Sequence, residues 1–159
     1  MKHLPKHLRP RWRYLAVELE AWPDAAVSRG EFQRSVWFAA QNLVGDAGSA
    51  DADLRVVRFA FDSGSGEALL RVRRGEVERA RAAVACVDSV HGNPIRVAVR
   101  GVSGTIRAAA EKYLGDGAES SSDETVAFDG DCRRAVVRGE RVDVELGESF
   151  VGATTFDCR

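Results

Sequence analysis

Leu54-Arg-Val-Val-Arg-Phe-Ala-Phe61, the loop Asp62-Ser-Gly-Ser-Gly66 and Glu67-Ala-Leu-Leu-Arg-Val-Arg73 read as two strands joined by a hairpin turn. β-Branched and aromatic residues mark the first run and Leu69, Leu70 and Val72 the second, and the Gly/Ser loop between them is too short for a crossover. The flanks of this hairpin decide the fold. On its N-terminal side, Ser28 and Glu31 make a capping box, followed by Phe32, Val36, Ala40, Leu43 and Val44 on one helical face. Gly45 is predicted to stop that helix, with residues 46–53 as a loop. On the C-terminal side, Val77, Ala80, Val84 and Val87 have helical spacing, so a helix is predicted over residues 75–90.

Outward from these helices lie two more strands. Residues 11–20, Arg-Trp-Arg-Tyr-Leu-Ala-Val-Glu-Leu-Glu, alternate with Leu15, Val17 and Leu19 on one side and Trp12, Tyr14 and Glu18 on the other. Residues 95–102 place Ile95, Val97 and Val99 inward, after a turn at His91-Gly-Asn-Pro94. A third helix is expected over about 104–114. The order β-α-β-β-α-β predicts an α+β, ferredoxin-like/RRM-like sandwich with an extra C-terminal helix.

Charge divides the chain unevenly. Residues 1–13 carry Lys2, Lys6, Arg9, Arg11 and Arg13 and no acid. Residues 14–114 are balanced at 13 basic and 13 acidic, and residues 115–159 hold 5 basic and 11 acidic. Residues 1–10, with Pro5 and Pro10, read as a basic, extended arm, and 11–114 as the domain. Residues 115–159 read as an acidic, partly disordered tail with a possible hairpin at 135–138 and 142–146. Its apolar content looks too small for a core of its own. A basic arm points to a polyanion partner. No apolar run reaches membrane-spanning length, and no secretory signal is recognised, which with an odd number of cysteines suggests reduced thiols in the cytoplasm.

The sheet's second face gathers Trp12, Tyr14, Arg71, Arg73, Arg96 and Arg100. Aromatic rings interleaved with guanidinium groups suit stacked bases and phosphates. An ordinary solvated face, or one covered by the third helix, accounts for the same pattern. The RRM signature on the third strand is absent. The segment Arg100-Gly-Val-Ser-Gly-Thr-Ile-Arg107 reads as strand end, glycine turn and helix start. Ser103 is the expected cap, Gly104 the point of close approach, and Arg100 and Arg107 the flanking charges for an anion.

Catalytic patterns are not found. His3 and His7 have i, i+4 spacing, but Pro5 lies between them and no third ligand follows. His91 suits a turn, Cys86 a helix core, and Asp51 and Asp53 a solvated loop. No P-loop, dinucleotide fingerprint or nucleophile elbow occurs. The expectation is a chain with no catalytic residue or bound cofactor of its own.

Four segments, in order, resemble the archaeal ribonuclease P protein component 2 family. They are Arg13-Tyr-Leu-Ala-Val-Glu18, Leu43-Val-Gly-Asp-Ala-Gly48, Gly66-Glu-Ala-Leu-Leu-Arg-Val-Arg73, and Ser103-Gly-Thr-Ile-Arg107 preceded by Arg100. The resemblance covers about residues 10–114 and leaves the tail outside. It implies a non-catalytic subunit of a ribonucleoprotein that removes the 5′ leader of precursor tRNA, with magnesium ions held by the RNA subunit. It also implies pairing with a TIM-barrel-like subunit, protein component 3. Lys2, Lys6, Arg9, Arg11, Arg13, Trp12, Tyr14, Arg71, Arg73, Arg96, Arg100, Ser103, Gly104, Thr105 and Arg107 are the expected RNA-facing residues. A small-ligand-sensing module of ACT type shares the element order and is the alternative. An acylphosphatase-like enzyme would need a glycine-rich arginine loop after the first strand, which is missing.

Overall fold

The computed structural model describes residues 4–115 and 121–158. The expected sandwich is present. β1 (Trp12–Ala21), α1 (Arg29–Ala52), β2 (Arg55–Asp62), β3 (Ser65–Arg73), α2 (Val77–Ala85), β4 (Ser89–Val90), β5 (Asn93–Ser103) and α3 (Ile106–Tyr113) follow in order. The strands form one antiparallel sheet in the order β2-β3-β1-β5-β4. The alternating apolar residues of β1 meet Phe32, Val36 and Ala40 of α1 and Ala80, Ala83 and Val84 of α2 in the main core. Hydrophobic burial on this one face is what holds both helices to the sheet.

Local chemistry sets the element ends. Ser28 Oγ accepts from Glu31 N at 3.3 Å and Ser28 N donates to Glu31 Oε2 at 3.0 Å, completing the capping box. The Ser28 backbone N–H, helped by its hydroxyl, holds the Glu31 carboxyl below its ordinary pKa. The β2–β3 turn is tighter than expected: Ser63 and Gly64 alone turn the chain, both at positive φ.

The expected stop at Gly45 is a kink instead. Gly45 has φ 73°, but the helix resumes beyond it and runs to Ala52, so residues 46–52 are helical rather than loop. The small residues Ala47, Gly48, Ser49 and Ala50 tolerate a helix there, and Asp53 in the left-handed region ends it. α2 is shorter than predicted. It ends at Ala85 and leaves Cys86 exposed at its cap rather than in the core. His91 and Gly92, both at positive φ, turn the next residues into the small β4–β5 hairpin.

The arm also departs from expectation. Lys6–Leu8 form one exposed turn of 3-10 helix. The tail departs most. β6 (Ser121–Phe128), β7 (Asp131–Arg138), β8 (Arg141–Leu146) and β9 (Ser149–Thr154) make a four-stranded antiparallel meander. Ala135, Val142 and Val144 are fully buried there, against Val126, Phe128, Val137, Ala153 and Cys158. Its other face carries Arg134, Val136 and Arg138 against the end of β1. Trp22 meets Phe150 at 4.5 Å between ring centres, and Arg134 stacks on Trp22 at 4.5 Å. The meander thus supplements its small core by docking on the body.

Candidate nucleic-acid interface

The second face of the sheet is divided into three zones along β1. In the middle, Ala16 and Leu69 are buried under Ala109 of α3, with Tyr14, Ala110 and Tyr113 packed around them. This corrects the reading of an open sheet: α3 covers the centre and takes Tyr14 with it. The cover depends on Gly101, where any Cβ would run into the Tyr113 ring.

At the end of β1, charges pair internally. Glu20, 5% exposed, accepts from Arg96 Nη1 at 3.2 Å and from Arg141 Nη2 at 2.8 Å. Burial opposes ionisation of Glu20, but the Arg141 hydrogen bond and the charges of Arg96 and Arg138 outweigh it, so its pKa lies below the ordinary value. Arg138, 3% exposed, pairs with Asp143 and donates to Ala21 O at 2.6 Å. Arg100 pairs with Glu18. Arg96 and Arg100, both expected to face RNA, are therefore committed to carboxylates of β1. The register explains Arg100: it is the extra residue of a bulge between Ala16/Gly101 and Val17/Val99.

The start of β1 is different. Trp12 lies opposite Arg73, and Tyr14 opposite Arg71, on β3. The Arg71 guanidinium stacks on the Trp12 ring at 4.0 Å, with that of Arg73 at 6.0 Å. Neither arginine has a carboxylate partner among the described residues. Arg11 is exposed, and its carbonyl accepts from Arg74 N at 2.9 Å, tying the arm to β3. Arg9 Nε donates to Leu4 O at 2.9 Å, and Lys6 is exposed on the 3-10 turn. The Arg13 guanidinium lies over Gly104, where a Cβ would sit 2.8 Å from Nη1. Gly104 thus makes room for a neighbouring arginine. Lys2 lies outside the described residues.

The expected cap also moves. Ser103 is the last residue of β5, opposite Tyr14, and it is Thr105 whose Oγ1 accepts from Ala108 N at 3.1 Å. One N–H freed at the helix start is thereby taken. Arg107 pairs with Glu111 at 2.7 Å on the exposed side of α3.

Fold and site together define a class: a ferredoxin-like α+β protein whose arm-side end presents Trp12, Arg71 and Arg73 with no carboxylate partner among the described residues. Residues 13–114 match the family model described as the Rpp14/Pop5 family, and the chain belongs to that family. It is 64% identical to a Halobacterium salinarum protein named Ribonuclease P protein component 2, over 99% of this chain and 97% of that one. A Natronomonas pharaonis protein of the same name is 60% identical over 100% and 99%. A Methanosarcina mazei protein, also of that name, is 34% identical over 73% of this chain and 95% of its own length. The family match does not favour the ligand-sensing alternative. No helix among the described residues is long and apolar enough to cross a membrane.

Proposed function

We propose that this chain is a protein subunit of ribonuclease P that assists the RNA subunit in removing the 5′ leader of precursor tRNA. The single observation that carries the reading is the cation–aromatic cluster of Trp12, Arg71 and Arg73 beside the basic arm, its arginines without a carboxylate partner among the described residues. It occurs in a member of the Rpp14/Pop5 family. Lys6, Arg9, Arg11 and Arg13 lie in or beside the arm that leads into Trp12, with Lys2 before them in the sequence. The chemistry is electrostatic. Each guanidinium that meets a phosphate releases counterions and lowers the repulsion that opposes RNA folding. Hydrolysis then belongs to the RNA subunit and its magnesium ions, and this chain supplies charge and position. Protein component 3 is the partner we propose, and Phe38 of α1, 63% exposed, offers it an apolar contact. The cytoplasm is the compartment we propose for this role.

Reconstitution tests the reading. Ribonuclease P RNA of a haloarchaeal relative is assayed for precursor-tRNA cleavage with and without this chain and component 3. The expected result is cleavage at lower magnesium when both proteins are present. Cleavage unchanged across the magnesium series would refute the role.

A further inference from the structure

Among the cavities on the described surface, three differ in the charges that line them. The cavity at the seam of body and meander is lined by Glu20, Asp88, Asp143 and Glu148 as well as by arginines. A second, beside α3, holds Glu18, Glu20 and Glu67. The third, a groove of about 550 Å³ between the start of α1 and the start of β2, has no acidic residue in its lining. It is formed around Arg29, Gln33, Trp37, Arg55 and Arg71.

Its construction is specific. Arg29, Gln33 and Trp37 are four residues apart and share one face of α1. They reach the backbone at the start of β2, an edge strand: Leu54, just before it, and Val56 within it. Arg29 Nη2 donates to Val56 O at 2.6 Å, Val56 N donates to Gln33 Oε1 at 2.6 Å, and Trp37 Nε1 donates to Leu54 O at 2.7 Å. These bonds occupy the first backbone groups of an edge that would otherwise invite strand pairing. They also fix the side chains that line the groove. With its N–H occupied, the Trp37 indole, 39% exposed, has only its ring left to offer. Arg29 keeps further donors of its guanidinium. Arg55 has one partner, Asp53, at 3.4 Å. Arg71 reaches the groove from its stack on Trp12, and its Nε is shielded from water without a hydrogen-bond partner.

We propose that this groove holds one unpaired nucleotide of the RNA. Its phosphate lies between Arg55 and Arg71, with Arg29 adjacent, and its base lies against Trp37. A cavity of this size accepts a nucleotide. Several cations with no lining acid select an anion, and an exposed ring beside them selects an anion that carries a flat group. Because Arg71 belongs to both, the groove continues the Trp12 surface around the sheet edge. The inference rests on the RNA-binding reading above and localises one contact within it.

The test measures binding of the full chain to the same ribonuclease P RNA over a salt series, with Trp37→Leu, Trp37→Phe and Arg55→Gln. Stacking on one base predicts about tenfold weaker binding for Trp37→Leu. Trp37→Phe, which keeps a ring and loses the N–H, retains most of the affinity. Arg55→Gln lowers the slope of log affinity against log salt by about 0.7 to 0.9. Melting temperatures separate this from a folding defect, since a purely structural Trp37 would make Phe and Leu fail alike. If all three variants bind as the parent does while Trp12→Ala loses affinity, the groove proposal falls and the function stands. If the variants lose component 3 instead of RNA, the groove is a protein site and the proposal is overturned. If the parent shows no salt-dependent RNA binding, the functional reading itself is overturned.

Discussion

Arginine serves opposite purposes at the two ends of β1. At the start, Arg71 and Arg73 approach the Trp12 ring, and neither pairs with a carboxylate among the described residues. At the end, Arg96 and Arg141 converge on Glu20, and Arg138 on Asp143 and the Ala21 carbonyl. The strand itself draws the distinction, because it opens on Trp12 and Tyr14 and closes on Glu18 and Glu20. A guanidinium beside a ring keeps its donors for a ligand, whereas one beside a buried carboxylate spends them on the fold. Counting arginines on a face therefore overstates the surface available to RNA.

The largest expected effect breaks the committed end. Glu20→Gln removes the anion that Arg96 and Arg141 share and leaves those charges beside Arg138. Losing one partner of a buried pair costs about 3 to 5 kcal/mol, and the half-exposed Arg96 and Arg141 reduce that to about 2 kcal/mol here. Urea unfolding should show the loss, and limited proteolysis should release the meander earlier. An unchanged midpoint and cleavage pattern would remove Glu20 as the anchor. Acid should mimic the substitution. The folded pKa of Glu20 lies below its ordinary value of 4.5, so its stabilisation is complete above that value and is lost as the pH falls through the folded one. Arg141→Gln should shrink that acid-dependent component.

A smaller effect sharpens the other end. Replacing Arg71 and Arg73 by glutamine should weaken RNA binding and flatten its salt dependence by about 0.7 to 0.9 per charge. Stability should change little, because neither arginine has an ion-pair partner among the described residues. Arg96→Gln is the counterpart, with the stability lowered and the salt slope kept. A salt slope that falls equally for both ends would erase the distinction between them.

The sequence carried much of this fold because its alternation is local. The β2–β3 hairpin and the Ser28–Glu31 box each depend on residues a few positions apart. The meander's turns are local as well: Asp129-Gly130, Gly139-Glu140 and Gly147-Glu148 are the two-residue turns between its strands. What was not legible is non-local. Whether Arg96 and Arg100 are free depends on a bulge in β5 and on Arg138 and Arg141 arriving from more than a hundred residues away from Glu20. The Arg29–Gln33–Trp37 stripe shows the same limit. Its spacing is visible in the sequence, but it gains meaning only once β2 is known to be an edge.

The smallest expected effect concerns the turn into α3, which belongs to the free end. Ser103-Gly-Thr105 offers two hydroxyls two residues apart, and a cap is defined by where the helix begins rather than by residue type. With α3 starting at Ile106, Thr105 Oγ1 holds Ala108 N, and Ser103 belongs to the strand beside Tyr14. Thr105→Ala should cost about 1 kcal/mol of stability, and Ser103→Ala much less. The reverse order in thermal unfolding would return the cap to Ser103. It would also shift the helix start toward Gly104, where the Arg13 guanidinium now lies. The Arg13 guanidinium thus sits over a turn whose following helix the Thr105 hydroxyl caps, so one hydroxyl bears on both.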